Sequence, residues 1–137
     1  MCSISGFYSI NSSVKTDNDF ISKSFDMMRS RGPEYEMEFK IDSRCSLGHQ
    51  RLSIIDLDTG TQPLHLPPRN LHLVANGEVY NYLELRQQFS SPDLPYSTAS
   101  DCESILHCYA HQGVKGFTAL HGMYAFALYD AQQQQLI

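Results

Sequence analysis

The stretch "GMYAFALYD", residues 122–130, constrains the fold more than any other. It alternates as a strand does, yet both faces are apolar, with Met123, Ala125, Ala127 and Tyr129 on one and Tyr124, Phe126 and Leu128 on the other. A strand with one wet face carries polar residues at every second position. This one requires cover on both sides, as when a sheet lies between a second sheet and a layer of helices. A chain of 137 residues, 42% hydrophobic and 18% charged, suits one globular domain able to build such a core.

The other segments read as a mixture of strands and helices. "SISGFYSI" predicts a strand over 3–10, and Phe20, Ile21, Phe25 and Met28 predict a helix over 17–30, with Thr16 and Asp19 resembling a capping box and "RGP" ending it. Strands are expected at "YEMEFKI" and "CSLGHQRLSII". The prolines of "DLDTGTQPLHLPPRN" predict a loop without regular structure. "LHLVAN" predicts a strand, "YNYLELRQQF" a helix, and "SPDLPYSTAS" a second loop. "SDCESILHCYAHQG" predicts a helix with Ser100 and Glu103 as its capping box and Gly113 at its end, and "QQQQLI" starts a last strand. A chain that stops on Leu-Ile within an apolar run is expected to be cut or unfinished.

Several functions are disfavoured. The net charge is −5 and the ten Lys and Arg are scattered, so a nucleic-acid partner is not expected. Neither a membrane span nor a secretory signal is indicated, so the expected location is the cytoplasm and the four cysteines are expected to be thiols. His107 and His111 are spaced like a zinc pair, but no second cluster matches them, and no metal is expected.

Four places could carry chemistry. Cys2 follows the initiator methionine, whose removal would leave a thiol and a free α-amine on one residue. Unperturbed, these titrate near about 8.5 and about 7.7–8.0, so the amine can take the thiol proton. By position alone, a small buried cysteine is the plainer reading. Arg51, within an otherwise apolar strand, needs a carboxylate, either of this chain or of a ligand. His49 beside it reads more readily as a structural hydrogen bonder than as a catalyst. Asn76–Gly77 is a strong hairpin-turn signal, or else a pair of oxyanion donors. The helix predicted after it weakens the hairpin. Asp101 suits the first turn of a helix by its charge, or could receive an ammonium group.

Taken together and in this order, "MCSISGF", "RGPE", "LGHQRLSIIDL", "QP", "NGEVYN", "SDCE" and "LHGMYAFALYD" resemble the N-terminal glutaminase domain of asparagine synthetases, a class II glutamine amidotransferase of the N-terminal-nucleophile type. The resemblance spans essentially the whole chain. It implies an α+β fold, an αββα four-layer sandwich of two antiparallel sheets between helix layers, incomplete at the C-terminus. It implies Cys2 as the nucleophile, with Asn76 and Gly77 forming the oxyanion hole. It also implies that Arg51, Leu52, Ile54, Glu78 and Asp101 bind the substrate, glutamine. Arg51 would hold the α-carboxylate, and Asp101 with Glu78 the α-ammonium. The implied partner is the synthetase domain of a parent chain, where ATP and magnesium would serve asparagine synthesis from aspartate; none is implied for residues 1–137 themselves. The resemblance also admits a homodimer, a homologue that makes another amide or a lactam, and a non-catalytic domain. Ser3 departs from the family's usual glycine, Glu34 from aspartate, Ser30 from a frequent histidine and Cys102 from threonine, without removing a named role.

Overall fold

The computed structural model describes residues 2–11, 19–52 and 61–137. Strands β1 (Ser3–Tyr8), β2 (Tyr35–Lys40) and β3 (Cys45–Arg51) form one antiparallel sheet in the order β1-β3-β2. Strands β4 (Leu64–Leu66), β5 (Leu71–Val79), β6 (Gly122–Asp130) and β7 (Gln135–Leu136) form a second, in the order β4-β5-β6-β7. Helix α1 (Phe20–Met28) covers the first sheet, and α2 (Tyr82–Phe89) and α3 (Glu103–Gln112) cover the second. The result is the αββα sandwich, an α+β fold.

Apolar alternation builds these layers. On β5 and β6, Leu71, Leu73, Ala75 and Leu128 join Leu85, Phe89, Ile105 and Leu106 in the core under α2 and α3. Val74 and Tyr129, of opposite parity, meet Cys45 and Leu47 of β3 in a smaller core between the sheets. Each such side chain removed from water contributes about 1.5–3 kcal/mol. All seven residues of β3 are buried, because α1 presses on its other face. At Gly48 a Cβ would come within 2.8 Å of Ile21 and 2.9 Å of Phe25, so glycine lets the helix lie directly on the strand.

The fold departs from the expectations at three places, and at Asn76–Gly77 it decides between two readings. β6 is covered on both faces only in its second half: Leu128 and Tyr129 are fully buried, whereas Met123 is 71% exposed. The first half forms a pocket wall instead. The segment 56–70 is not wholly irregular, since β4 pairs with β5 and a 3-10 turn, Pro67–Arg69, follows it. Pro63, Pro67 and Pro68 flank the strand without entering it, and Leu64 and Leu66 anchor it in the core. Asn76–Gly77 makes no hairpin turn, because β5 continues through both residues and pairs with β6, Gly77 opposite Tyr124. A local turn preference has lost to long-range pairing, and α2 follows where a helix was expected.

The third departure concerns helix starts. α1 begins at Phe20 without a side-chain cap from Asp19, and Thr16 lies outside the described residues. α3 begins at Glu103, later than expected, without a cap from Ser100. Its Glu103 carboxylate reaches back to the preceding loop, accepting from the backbone N–H and hydroxyl of Ser97 (2.7 and 2.9 Å) and of Thr98 (2.8 and 2.6 Å). Gly113 ends α3 at φ +60°, its N–H donating to Tyr109 O, as expected of glycine there. No described helix is long and apolar enough to cross a membrane.

Candidate active site

The two sheets open at one end, where β3 runs out and the second half of β5 meets the first half of β6. Register brings the chain start to this opening: Ser3 lies opposite Gln50, so Cys2 sits beside Arg51 and Leu52. The Leu52 N–H donates to the Cys2 sulfur at 3.4 Å, and the thiol faces Leu52 O at 3.6 Å. Cys2 is half-buried, whereas Cys45, Cys102 and Cys108 are buried. Ser3 turns the other way, as strand alternation dictates, and its hydroxyl donates to Gln50 Oε1 at 2.7 Å. Gln50 in turn donates to Phe25 O at 3.0 Å. The added side chain at position 3 therefore ties β1 to β3 and α1 and stays out of the opening.

The opposite wall is β5. Gly77 has φ +154°, and a Cβ there would lie 2.2 Å from Met123 O and 2.4 Å from Tyr124 Cα. Only glycine lets β5 and β6 close at this point. Asn76 precedes it half-buried, and Glu78 follows it exposed. From the turn before α3, Asp101 enters 5% exposed, and the Val79 N–H donates to its Oδ2 at 2.6 Å. That bond ties the carboxylate to the end of β5, at the cavity wall.

Cys2, Arg51, Leu52, Asn76, Gly77, Glu78 and Asp101 line a single cavity of about 500 Å³. This is a size typical of small-molecule sites. Ile54, the eighth predicted residue, lies outside the described residues. Arg51 is 8% exposed, so a ligand carboxylate would meet a largely desolvated guanidinium. Burial foremost, with the Arg51 charge adding to it and the Ala75 backbone opposing, pushes His49 down to about 4. It is a neutral wall residue at physiological pH. Burial and then Asp101 push the Cys102 thiol up, which leaves it protonated.

Some wall residues had no role in the sequence reading: Gln62, Ser100 and Cys102, and Met123, Tyr124 and Ala125 of β6. The "QP" pair, "SDCE" and the doubly apolar "GMYAFALYD" were their signals. His107 and His111 point elsewhere. His107 is buried in a stack with Tyr96, ring centroids 3.6 Å apart, and His111 Nε2 lies 3.0 Å from Phe89 O. Among the described residues no three His, Cys, Asp or Glu side chains gather as a metal site.

Comparison with known proteins places the chain in a family. A family model described as a glutamine amidotransferase domain matches residues 1–137. The chain is 37% identical to asparagine synthetase B [glutamine-hydrolyzing] of Escherichia coli, over 97% of its own length and 24% of the relative's. It is 35% identical to amidase chry2 of Gibberella zeae, over 100% of its length and 22% of the relative's. It is 32% identical to asparagine synthetase [glutamine-hydrolyzing] 1 of Bacillus subtilis, over 99% and 22%. The chain thus spans less than a quarter of the length of these relatives. Matched from end to end by the family model, the chain belongs to the glutamine amidotransferase domain family.

Proposed function

We propose that this domain hydrolyses glutamine to glutamate and ammonia with Cys2 as its nucleophile. The observation that carries the reading is the gathering, in one cavity, of a thiol, a cation, two carboxylates and the Asn76–Gly77 pair. Glutamine has the complementary parts: a carboxylate for Arg51, an ammonium for Asp101 and Glu78, and one reactive carboxamide. Leu52 and Ile54 would complete the binding surface beside Arg51.

The chemistry needs no partner histidine. With Met1 removed, the Cys2 α-amine takes the thiol proton and the sulfur attacks the carboxamide carbon. The Leu52 N–H that already meets this sulfur fixes its place beside Arg51. As the C=O bond becomes a C–O⁻ single bond, the Asn76 side-chain amide and the Gly77 N–H stabilise the oxyanion, each such donor contributing about 3–4 kcal/mol. The tetrahedral adduct collapses, the amine returns its proton to the leaving nitrogen, and ammonia departs. Water, deprotonated by the same amine, then cleaves the thioester to glutamate and restores the thiol.

We further infer that residues 1–137 are the amidotransferase domain of a longer protein. In it the ammonia would pass to a synthetase domain using ATP and magnesium to make asparagine from aspartate. Support comes from the two relatives named as glutamine-hydrolysing asparagine synthetases. The similarity to a relative named as an amidase favours a second reading, in which ammonia goes to another acylated substrate. Four free thiols suit a cytoplasmic setting.

Intact-mass analysis of the native protein tests the nucleophile. The expected result is a cysteine-first species that takes one adduct from a glutamine-analogue electrophile, with the three buried thiols unmodified. Cys2→Ala should take none and form no glutamate. Retention of Met1 on active protein, or glutaminase activity in Cys2→Ala, would refute the assignment.

A further inference from the structure

The structure assigns a positioning role to Gln62, which the glutaminase reading above leaves without one, and the inference rests on that reading. The antiparallel register of β4 and β5 pairs Leu66 with Leu71, His65 with His72 and Leu64 with Leu73. Two steps further on, position 62 would face Ala75. The backbone does not continue that far, because β4 begins at Leu64 and Pro63 has no N–H to give. The side chain of Gln62 completes the ladder instead. Its Oε1 accepts from Ala75 N at 2.6 Å and its Nε2 donates to Ala75 O at 3.0 Å.

Both contacts fall on the residue before Asn76. The Ala75 carbonyl and the Asn76 N–H belong to one peptide plane, so the Gln62 donor sets the tilt of that plane and the direction from which the Asn76 side chain departs. Gln62 is 7% exposed and lines the cavity, so both bonds form in a dry environment. We propose that the Gln62 carboxamide, standing in for a missing strand residue, holds the oxyanion donors at the place where negative charge develops. It touches neither nucleophile nor substrate ends and acts through Ala75.

This distinguishes it from a residue that only stabilises the fold. Gln62→Glu keeps the size and the acceptor for Ala75 N, but an ionised carboxylate cannot donate to Ala75 O. In the full-length protein, glutamine hydrolysis by this variant should show kcat reduced about tenfold or more near pH 8, with KM within about threefold, since misplaced transition-state donors affect the chemical step. The ratio of its kcat to that of the wild type should recover as pH is lowered towards about 5, where the introduced carboxyl regains a proton to donate. Gln62→Met, which lacks both bonds, should show the kcat loss without pH recovery. The rate of Cys2 alkylation by iodoacetamide, a displacement that develops no oxyanion, should be unchanged in both variants. Wild-type kcat in both variants, a loss confined to KM, or an alkylation rate that falls in step with kcat would overturn the inference. A wild type that forms no glutamate would instead overturn the glutaminase reading itself, and it is measured first.

Discussion

Replacing Glu103 by glutamine should destabilise the domain in a pH-dependent way whose size follows from the geometry. The carboxylate is 1% exposed and takes four hydrogen bonds from Ser97 and Thr98. Burial works to raise its pKa. His107, with Nε2 3.8 Å from Oε1, and the four loop bonds outweigh burial and bring it down to about 2 from an ordinary 4.5. At about 1.36 kcal/mol per pH unit, that difference contributes roughly 3 kcal/mol at pH 7. Because the folded-state value is the lower one, the contribution is complete above about pH 4.5 and is lost as pH falls towards 2. Only about 1 kcal/mol should remain at pH 3. Glutamine at this position keeps one accepting oxygen but turns an NH₂ towards two donors, one of them a backbone N–H that cannot rotate away. Urea unfolding of Glu103→Gln and the parent at pH 7 and pH 3 should therefore show a deficit of about 2–4 kcal/mol that shrinks at the lower pH. A deficit below about 1 kcal/mol at pH 7, or one equally large at pH 3, would refute the reasoning. The site should feel the change too. The tethered loop supplies Thr98 O and Ser100 O to Arg86 Nη2, at 2.8 Å each, and leads directly into Asp101.

Two other substitutions test the site walls. Gly77→Ala places a Cβ 2.2 Å from Met123 O at a φ that side chains rarely adopt, so thermal unfolding should show a loss of about 2–4 kcal/mol with glutamine hydrolysis abolished. A variant as stable and active as the parent would show that β5 and β6 need no close approach there. Arg51→Ala should raise KM for glutamine tenfold or more while kcat falls less, since charge-assisted bonds to a substrate carboxylate contribute about 1.5–3 kcal/mol each. Unchanged KM would remove Arg51 from the substrate site.

Local pattern carried much of the architecture. Alternation located β1 and β6, strand-like runs located β2, β3 and β5, helical spacing located α1, "YNYLELRQQF" was read as the helix that is α2, and Gly113 marked the end of α3. What it left open or misjudged were contests between local preference and distant partners. Asn76–Gly77 has the chemistry of a turn, but nine pairings with a strand more than forty residues later hold it extended. Ser100 and Glu103 have the spacing of a capping box, but Glu103 finds better donors in Ser97 and Thr98. The strand Leu64–Leu66 stays hidden among prolines because its support is long-range.

By itself the sequence determined the inventory of the site: a cysteine at position 2, an arginine inside an apolar strand, an asparagine–glycine pair and an aspartate ahead of a helix. Residue types carry that information, because charge, nucleophilicity and hydrogen-bonding capacity are properties of side chains. Only the tertiary structure decided that these groups share one cavity. The register of β1 on β3 brings Cys2 to Arg51, and the pairing of β5 with β6 opens the far wall. Gln62 became legible in the same way. In the sequence Gln62 is marked only by the "QP" pair inside a predicted loop, and its part appears only when a strand pairing is seen to end two residues too soon.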